Sequence, residues 1–384
     1  MNFLSRLSKL YKFIRIRCHR YPRFPLLNLP YVAIKHVITT MSVSERIKLS
    51  LTSKRMEAYV ILSRQLSPYC IIHFDSKLSY ILMSQEGIML FSENKFHKYC
   101  DYGNEKMKYS DYSSWLNKNS TSLEKFSKLT QKVLTLFPTN YLILQFCTDW
   151  MSAEDLEALI NIPIFRGCNQ LEVFGQWPRG ELLDMIMEMA NSKGDIKLGR
   201  VMVDYSHAMA FKFRNIVYDD SRWIRIEHLL SLENSRFVTL RQCNLNCKDM
   251  NILLKYWIST DRNMFEVLKI EGNERFFCPK DVFDGIAVLR AVFHENPYYW
   301  ITTKSADPSK RNMLACQLDG RTMQCFTGRH DKIRITTGVE DLKVLEILKL
   351  LEDRREEKDQ EHERTSETLN SFGVLFKDGI AWLR

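Results

Sequence analysis

Apolar residues fall along this chain in two rhythms, and the change from one to the other marks its organisation. Near the start the spacing is helical: Ile34, Val37, Ile38 and Met41 stand at i, i+3, i+4 and i+7, which collects them on one face. Pro30 suits the first turn of that helix, where its missing N–H removes no helical hydrogen bond. Ser42 and Glu45 have capping-box spacing and predict a second helix carrying Ile47, Leu49 and Leu51. Thr52 and Ser53 predict the cap of a third, with Met56, Tyr59 and Val60. Three helices within about forty residues are too few to bury a full core, so their leftover apolar surface asks for a partner.

After Ile61 the rhythm shortens. Cys70–Phe74, Tyr80–Met83 and Ile88–Phe91 are apolar runs separated by polar turns and predict a small antiparallel sheet. A loop rich in Tyr, Lys and Asp follows from Phe96 to Tyr112. Then a helix from Thr121 to Phe137 carries Leu123, Phe126, Leu129, Val133, Leu134 and Phe137 on one side and stops before Pro138.

From Tyr141 a pattern recurs. The strand-like run Tyr141–Cys147 leads through a helix around Asp155 and Leu156 to Leu171–Phe174; later Phe237–Cys243 leads through a helix ending at Trp257 to Phe265–Leu268. Leu144 to Phe174 is 30 residues and Leu240 to Leu268 is 28, near the upper end of the ~20–29 of leucine-rich repeats. Between these pairs the chain predicts a helix over Glu181–Ala190, strands over Lys197–Val203 and Phe211–Tyr218, and a helix over Trp223–Leu232. Alternating strand and helix predict parallel strands with helices on one side. The expected fold class is therefore α/β: three N-terminal helices, then a leucine-rich-repeat-like array of strand-helix units with a small antiparallel sheet between or beside them. A more compact α/β domain satisfies the same spacing, and in either form one extended face stays free for a partner. Val339–Leu369 predicts an amphipathic helix dissolving into mixed charge, and Phe372–Leu383 a short apolar tail that folds back.

Charge alters this picture only at the beginning. The formal net charge is +9 over 384 residues, yet Arg6, Lys9, Lys12, Arg15, Arg17, Arg20 and Arg23 supply +7 with no acid among residues 1–23, leaving a body of +2. A nucleic-acid-binding domain carries its basic residues as a patch on the folded surface, and this body has no such concentration. The leader itself, with Phe3, Leu4, Leu7, Leu10, Tyr11 and Ile14 interleaved, admits a presequence, a membrane-surface helix or a nuclear signal, with a solvated leader as the plainer reading. Ten cysteines at irregular intervals, without a CxxC pair, read as reduced thiols of an intracellular chain, cytoplasmic or nuclear. Cys243 and Cys247 are the closest pair and read as buried small hydrophobes. No apolar run approaches the ~18 residues of a membrane span.

Catalytic motifs are missing: no phosphate-binding Gly-rich loop, no G-x-S-x-G elbow, no H-E-x-x-H. No catalytic, cofactor or metal residues are expected. His73 reads as a satisfied core or edge residue, Trp257 as core, and Asp249 with Asn251 as caps or turn formers.

The stretch Phe24-Pro25-Leu26-Leu27-Asn28-Leu29-Pro30 with the helices after it resembles an F-box. Glu227–Leu232, Asp249–Ile258, Val282–Ile286, Tyr298–Ile301 and Asp319-Gly320-Arg321 look like the type 2 F-box-associated domain of the large nematode F-box family. The combination spans about residues 24–335. It implies a division into a basic leader (1–23), F-box (24–60), a connecting sheet and helix (61–137), a repeat-like F-box-associated domain (138–335) and a charged helix with tail (336–384). It also implies a function: a non-catalytic substrate-recognition subunit of a Skp–cullin–F-box ubiquitin ligase, acting in protein degradation. The Skp-type adaptor, and through it the cullin, would be bound by Leu26, Leu27, Leu29, Pro30, Ile34, Val37, Ile38, Ile47, Leu49 and Leu51. The array would bind a target protein. Ser42-Val43 replaces the acidic-Pro pair common after the first F-box helix, and Met56 stands where many F-boxes have Trp. A non-ligase interaction scaffold with a weakened F-box is therefore the alternative.

Overall fold

The computed structural model describes residues 28–64, 66–75, 79–83, 88–91, 106–107, 112–117, 119–150, 152–160, 162, 167–175, 180–191, 193–200, 205–260, 262–272, 277–293, 296–302, 313–328, 374–377 and 380–383. The basic leader and the charged helix expected over Val339–Leu369 lie outside them.

The first three helices are α1 (Tyr31–Thr40), α2 (Val43–Thr52) and α3 (Lys54–Ser63). Pro30 stands one position before the first turn, as N-cap, and its carbonyl accepts from the Ile34 amide at 3.1 Å. The capping box forms: Ser42 Oγ accepts from the Glu45 amide at 3.3 Å while the Glu45 carboxylate accepts from the Ser42 amide at 3.0 Å. Ser53 Oγ accepts from the Met56 amide at 3.2 Å and starts α3. Each such cap is worth about 1 kcal/mol. The far end of α1 is closed from the next helix. Arg46, 2% exposed, donates from Nε to the Ile38 carbonyl at 2.9 Å and from Nη2 to the carbonyls of Thr39 and Met41. A cation there satisfies carbonyls that the helix end leaves over and sits at the negative pole of the helix dipole.

Sixteen strands hydrogen-bond into one sheet among the described residues. At one end β1 (Cys70–Phe74), β2 (Tyr80–Met83) and β3 (Ile88–Phe91) pair antiparallel, and β4 (Lys106–Met107), inside the expected loop, runs parallel to β3. The expected small antiparallel sheet is thus not a separate one: β1 also runs parallel to β5 (Leu142–Cys147), Ile72 beside Leu144. Phe74 explains the joining. It stacks on Phe146 of β5 with ring centroids 5.4 Å apart and meets Phe126 edge-on at 5.1 Å, so β1 shares its inward face with β5 and with α4 (Ser122–Leu136), the helix above it. A capping box of Thr121 and Glu124 starts α4.

Six strands then stand side by side in chain order, each parallel to the next: β5, β6 (Gln170–Phe174), β7 (Asp195–Leu198), β8 (Asn215–Tyr218), β9 (Ser235–Cys243) and β10 (Phe265–Gly272). Helices α5 (Ala153–Ile160), α6 (Gly180–Met189), α7 (Ile226–Leu230) and α8 (Cys247–Ser259) lie between them in sequence. Parallel neighbours joined in chain order have crossovers of one hand, so the helices fall on one face. Into that side point Leu144, Leu171, Ile196, Ile216, Val238 and Leu268, packed with Leu156, Leu183, Met187, Leu229, Leu253 and Trp257 into one continuous core.

Four expectations need correction here. The spacing is not constant: Leu144 lies beside Leu171, then Ile196, Ile216, Val238 and Leu268, steps of 27, 25, 20, 22 and 30 residues. Leu144 faces Leu171 and not Phe174, because Phe174 belongs to the opposite side of the strand. The strand expected over Phe211–Tyr218 begins at Asn215, since Phe211 and Phe213 are buried in the turn before it, and the helix expected over Trp223–Leu232 shortens to α7. Asn251 is no cap: it is buried in α8, and its Nδ2 donates to the carbonyls of Val282 and Asp284 at 2.9 and 2.7 Å, tying α8 to α9 (Pro279–Val282). Asp249 does cap, accepting from the Asn246 amide at 2.8 Å.

Past α9, β11 (Leu289–Phe293), β12 (Asn296–Thr302), β13 (Met313–Asp319) and β14 (Thr322–Gly328) form an antiparallel meander whose last strand pairs with β10. The tail does fold back, as two strands: β15 (Val374–Lys377) pairs with β16 (Ile380–Leu383), which runs parallel to β11 and closes that end of the sheet.

Candidate functional site

Two surfaces stand out, one on the N-terminal helices and one on the sheet. Of the ten adaptor-contact residues inferred from the sequence, Leu26 and Leu27 lie outside the described residues. Ile34, Ile38 and Ile47 are at most 1% exposed, inside the chain's own core; Leu29, Val37, Leu49 and Leu51 are half-buried and Pro30 is exposed. The helical periodicity of α1 selects the side turned towards α3, because that is the side the chain itself covers. The outward apolar residues are others. Tyr31 is 41% and Val32 77% exposed, and Tyr31 stacks on Tyr59 of α3 at 6.0 Å while its hydroxyl donates to the Leu62 carbonyl at 3.2 Å. Leu62 is itself 51% exposed. Sequence reasoning passed over both: Val32 is apolar yet off the periodic face, while Tyr31 lies on that face, three residues before Ile34 and seven before Ile38, and stays exposed at the helix start.

These helices share the apolar core of the sheet layer and are tied to it as well through one buried acid. The Glu57 carboxylate of α3 pairs with Lys54 at 3.2 Å and with Lys132 of α4. Burial pushes the Glu57 carboxyl up, but the two ammonium groups outweigh it and hold it below the ordinary glutamate range.

On the sheet, the side away from the helices carries a cross-strand row of polar residues. In register from β2 to β10 it reads Tyr80, His73, Gln145, Glu172, Lys197, Val217, Thr239 and Lys269. At its centre the side chains form a continuous network. Gln145 Oε1 meets the Tyr80 hydroxyl and His73 Nδ1, each at 3.3 Å, and Gln145 Nε2 donates to Glu172 at 3.0 Å. Gln170 Nε2 also donates to Glu172; the Tyr141 hydroxyl lies 3.1 Å from Gln170 Oε1 and donates to Asp195 at 2.7 Å, and Asn215 Nδ2 donates to Asp195 at 2.6 Å. Burial, and then the bond to Asp195, raise the Tyr141 phenol, while burial lowers the His73 imidazole against the opposing pull of its Gln145 bond. Both groups are neutral donors or acceptors at neutral pH. His73 is neither a core residue nor an edge residue: it is half-buried in a mid-sheet network.

Further along, acids at the ends of β8 to β10 have cationic partners, Asp219 and Glu271 on this side and Glu266 on the side of Leu268. Arg241 pairs with Asp219 at 2.5 Å and reaches Glu271 at 3.9 Å, Lys269 pairs with Glu271 at 2.7 Å, and Arg236 with Glu266 at 3.4 Å.

Beneath β8 and β9 an aromatic group closes the core: Trp223 packs on Tyr205, Tyr218 and Phe211, and His228 stacks on Phe211 at 5.5 Å. His228 Nδ1 accepts from the Arg225 amide at 3.1 Å and so starts α7. Burial lowers its pKa, the neighbouring Glu227 opposing. A cleft of about 570 Å³ opens at the start of α8 between Asn246, Phe277, Lys280 and Asp284; its mixed charge selects no ligand. Cys243 is buried and Cys247 half-buried, with the Cys247 sulfur accepting from the Cys278 amide. No group of three or more His, Cys, Asp or Glu able to hold a metal occurs among the described residues, and no helix among them is long and apolar enough to cross a membrane.

Two family models match the chain. Residues 26–63, which contain α1 to α3, match the F-box domain, and residues 205–270, from Tyr205 through β8, α7, β9 and α8 into β10, match the F-box associated family. No curated protein and no solved structure matches. The chain thus carries an F-box and an F-box-associated domain, modules of protein–protein interaction and substrate recognition, and no catalytic family is indicated.

Proposed function

We propose that this F-box chain is the non-catalytic substrate-recognition subunit of an intracellular Skp–cullin–F-box ubiquitin ligase. The helices α1–α3 bind a Skp-type adaptor and through it the cullin, and the repeat-like strand-helix array offers its open side to a target protein, which is thereby held within reach of the ligase's ubiquitin-conjugating enzyme. The observation carrying this reading is the exposed apolar surface of Tyr31, Val32 and Leu62 on the very helices that match the F-box. Continued along the chain by Leu29 and Pro30, it is the surface for the adaptor, with Val37, Leu49 and Leu51 at its margin. Ile34, Ile38 and Ile47 act from inside by shaping α1 and α2.

The test is capture of adaptor and cullin by the purified chain and by Val32→Asp, Tyr31→Asp and Ile34→Asp. Covering a Val or Tyr side chain is worth about 1.5–3 kcal/mol, and a carboxylate in an apolar contact costs more. The two surface variants keep their helix signal and lose the adaptor, whereas Ile34→Asp loses helix signal and adaptor together. If the folded wild-type chain captures no Skp-type adaptor, the ligase reading is wrong and the chain is an interaction scaffold whose F-box has lost its partner.

A further inference from the structure

The cysteines of this chain divide by access. Cys70, Cys168, Cys243, Cys316 and Cys325 are buried. Burial raises the thiols of Cys70 and Cys168 to about 12 and about 11, and those of Cys243 and Cys316 rise as well. The thiolate is the nucleophile in disulfide exchange, so such thiols are inert in the folded chain. That holds even for Cys316 and Cys325, which face each other on β13 and β14 with sulfurs 3.3 Å apart but are closed to any reagent. Cys278 is the exposed cysteine among the described residues, and Cys247 beside it is half-buried.

Folding brings these two together from 31 residues apart. Cys247 opens α8, one position after its Asn246 cap, and Cys278 is the N-cap of α9, one position before Pro279. The Cys247 sulfur accepts from the Cys278 amide at 3.3 Å. The Cys278 sulfur is three bonds from that same nitrogen, so a turn about its Cα–Cβ bond brings it within reach of the Cys247 sulfur. The helices that carry the two thiols are held together by Asn251, which grips the carbonyls of Val282 and Asp284. Approach is open as well. Cys247 lines the cleft of about 570 Å³ at the start of α8, and Cys278 stands between two more of its lining residues, Phe277 and Lys280. The cleft gives access without choosing among small reagents by charge.

We propose that Cys278 and Cys247 form a dithiol switch that exchanges with a small disulfide of the glutathione type. In the first step the Cys278 thiolate attacks one sulfur of the reagent: a mixed disulfide forms, the reagent's S–S bond breaks and one thiolate leaves. In the second the Cys247 thiolate attacks the Cys278 sulfur: the Cys247–Cys278 bond forms and the second thiolate leaves. The two protons of the protein thiols end on the two departing thiolates, so the chain loses two electrons and the reagent gains them. The product staples α8 to α9, where the last parallel strand, β10, hands over to the meander. A surplus of small thiol reverses both steps. This inference stands apart from the ligase reading and does not depend on it.

The test treats the full, reduced chain with glutathione disulfide and follows intact mass and mapped peptides. The wild type loses two hydrogens, and the Cys247 peptide is joined to the Cys278 peptide. Cys247→Ser stops at the first step and keeps a glutathione adduct on Cys278. Cys278→Ser forms no join, and its half-buried Cys247 takes up adduct at least about tenfold more slowly than Cys278 does in Cys247→Ser. Dithiothreitol restores the reduced mass in each case. Cys18 and Cys100 lie outside the described residues, and the peptide map separates them from this site. A lasting adduct on Cys278 in the wild type, a join between other cysteines in place of this one, or no reaction at Cys278 overturns the proposal. The wild-type map decides the matter even where a serine variant fails to fold.

Discussion

Removing the Arg46 guanidinium should loosen α1 more than any surface change on the same helix. Three carbonyls depend on it, those of Ile38, Thr39 and Met41, and the bond to Ile38 is fully buried. Water can replace the guanidinium at the two part-buried carbonyls but not at the third. A lost charge-assisted bond of that kind costs about 1.5–3 kcal/mol, and truncation to alanine adds the packing of the stem. Arg46→Ala should therefore cost about 3 kcal/mol and Arg46→Met, which keeps most of the stem, about 2 kcal/mol. Amide hydrogen exchange reads this locally. A loss of about 2 kcal/mol speeds exchange through opening by roughly thirtyfold, and it should appear at the amides of α1 while those of α8 stay unchanged. Adaptor capture should weaken in parallel, although Tyr31 and Val32 are intact, because their orientation depends on the helix that carries them. If both variants exchange like the wild type in α1, the capping role assigned to Arg46 is wrong; if α8 loosens equally, the effect is global and the local account fails.

Two other outcomes follow from single residues. Gly175 has φ of +137°, and a Cβ there would meet the Thr148 hydroxyl and lie 2.8 Å from Asp149 Oδ1; Gly175→Ala should cost about 1–3 kcal/mol and lower the melting temperature, whereas Gly180→Ala, with open space around it, should not, and equal effects would remove the steric argument. His228 must keep Nδ1 free of a proton to accept from Arg225, and burial lowers its pKa. Its contribution is therefore complete above the unfolded histidine pKa of about 6.5 and is lost as pH falls through the lower folded value. Stability measured between neutral and mildly acid pH should fall less steeply in His228→Phe, which keeps the stack on Phe211 without the titration, and identical slopes would exclude His228 as the cause.

Local chemistry was legible in the sequence wherever residues close in the chain decide the outcome. Ser42 with Glu45, and Ser53, cap as their spacing implies, and the alternation of Leu142, Leu144 and Phe146 reports which side of β5 is buried. Register was less legible, because alternation identifies a face and not a partner. Hence the spacing sets Leu144 against Phe174, although it stands beside Leu171. The same limit hid the polar network of the sheet: Glu172 and Asp195 become neighbours only through the pairing of β6 with β7. The adaptor surface failed for another reason. An apolar helical stripe such as Ile34 and Ile38 serves equally well against the chain's own core or against a partner, and only packing tells which. The docking of β16 on β11 joins segments too far apart in sequence for any local signal to announce it.

The Glu57 bridge has a mechanical meaning. From β1 to β10 the parallel strands are six spacings wide, about 29 Å at ~4.8 Å each, and the whole array hangs from the N-terminal helices beside β1, where Lys132 and Glu57 join α4 to α3. That joint is the pivot of a lever arm. A tilt of ~10° there would swing the far strand by about 5 Å, roughly one strand spacing. A buried ion pair at the pivot therefore governs aim: it decides where in space anything gripped far out on the sheet is presented to whatever holds the helices.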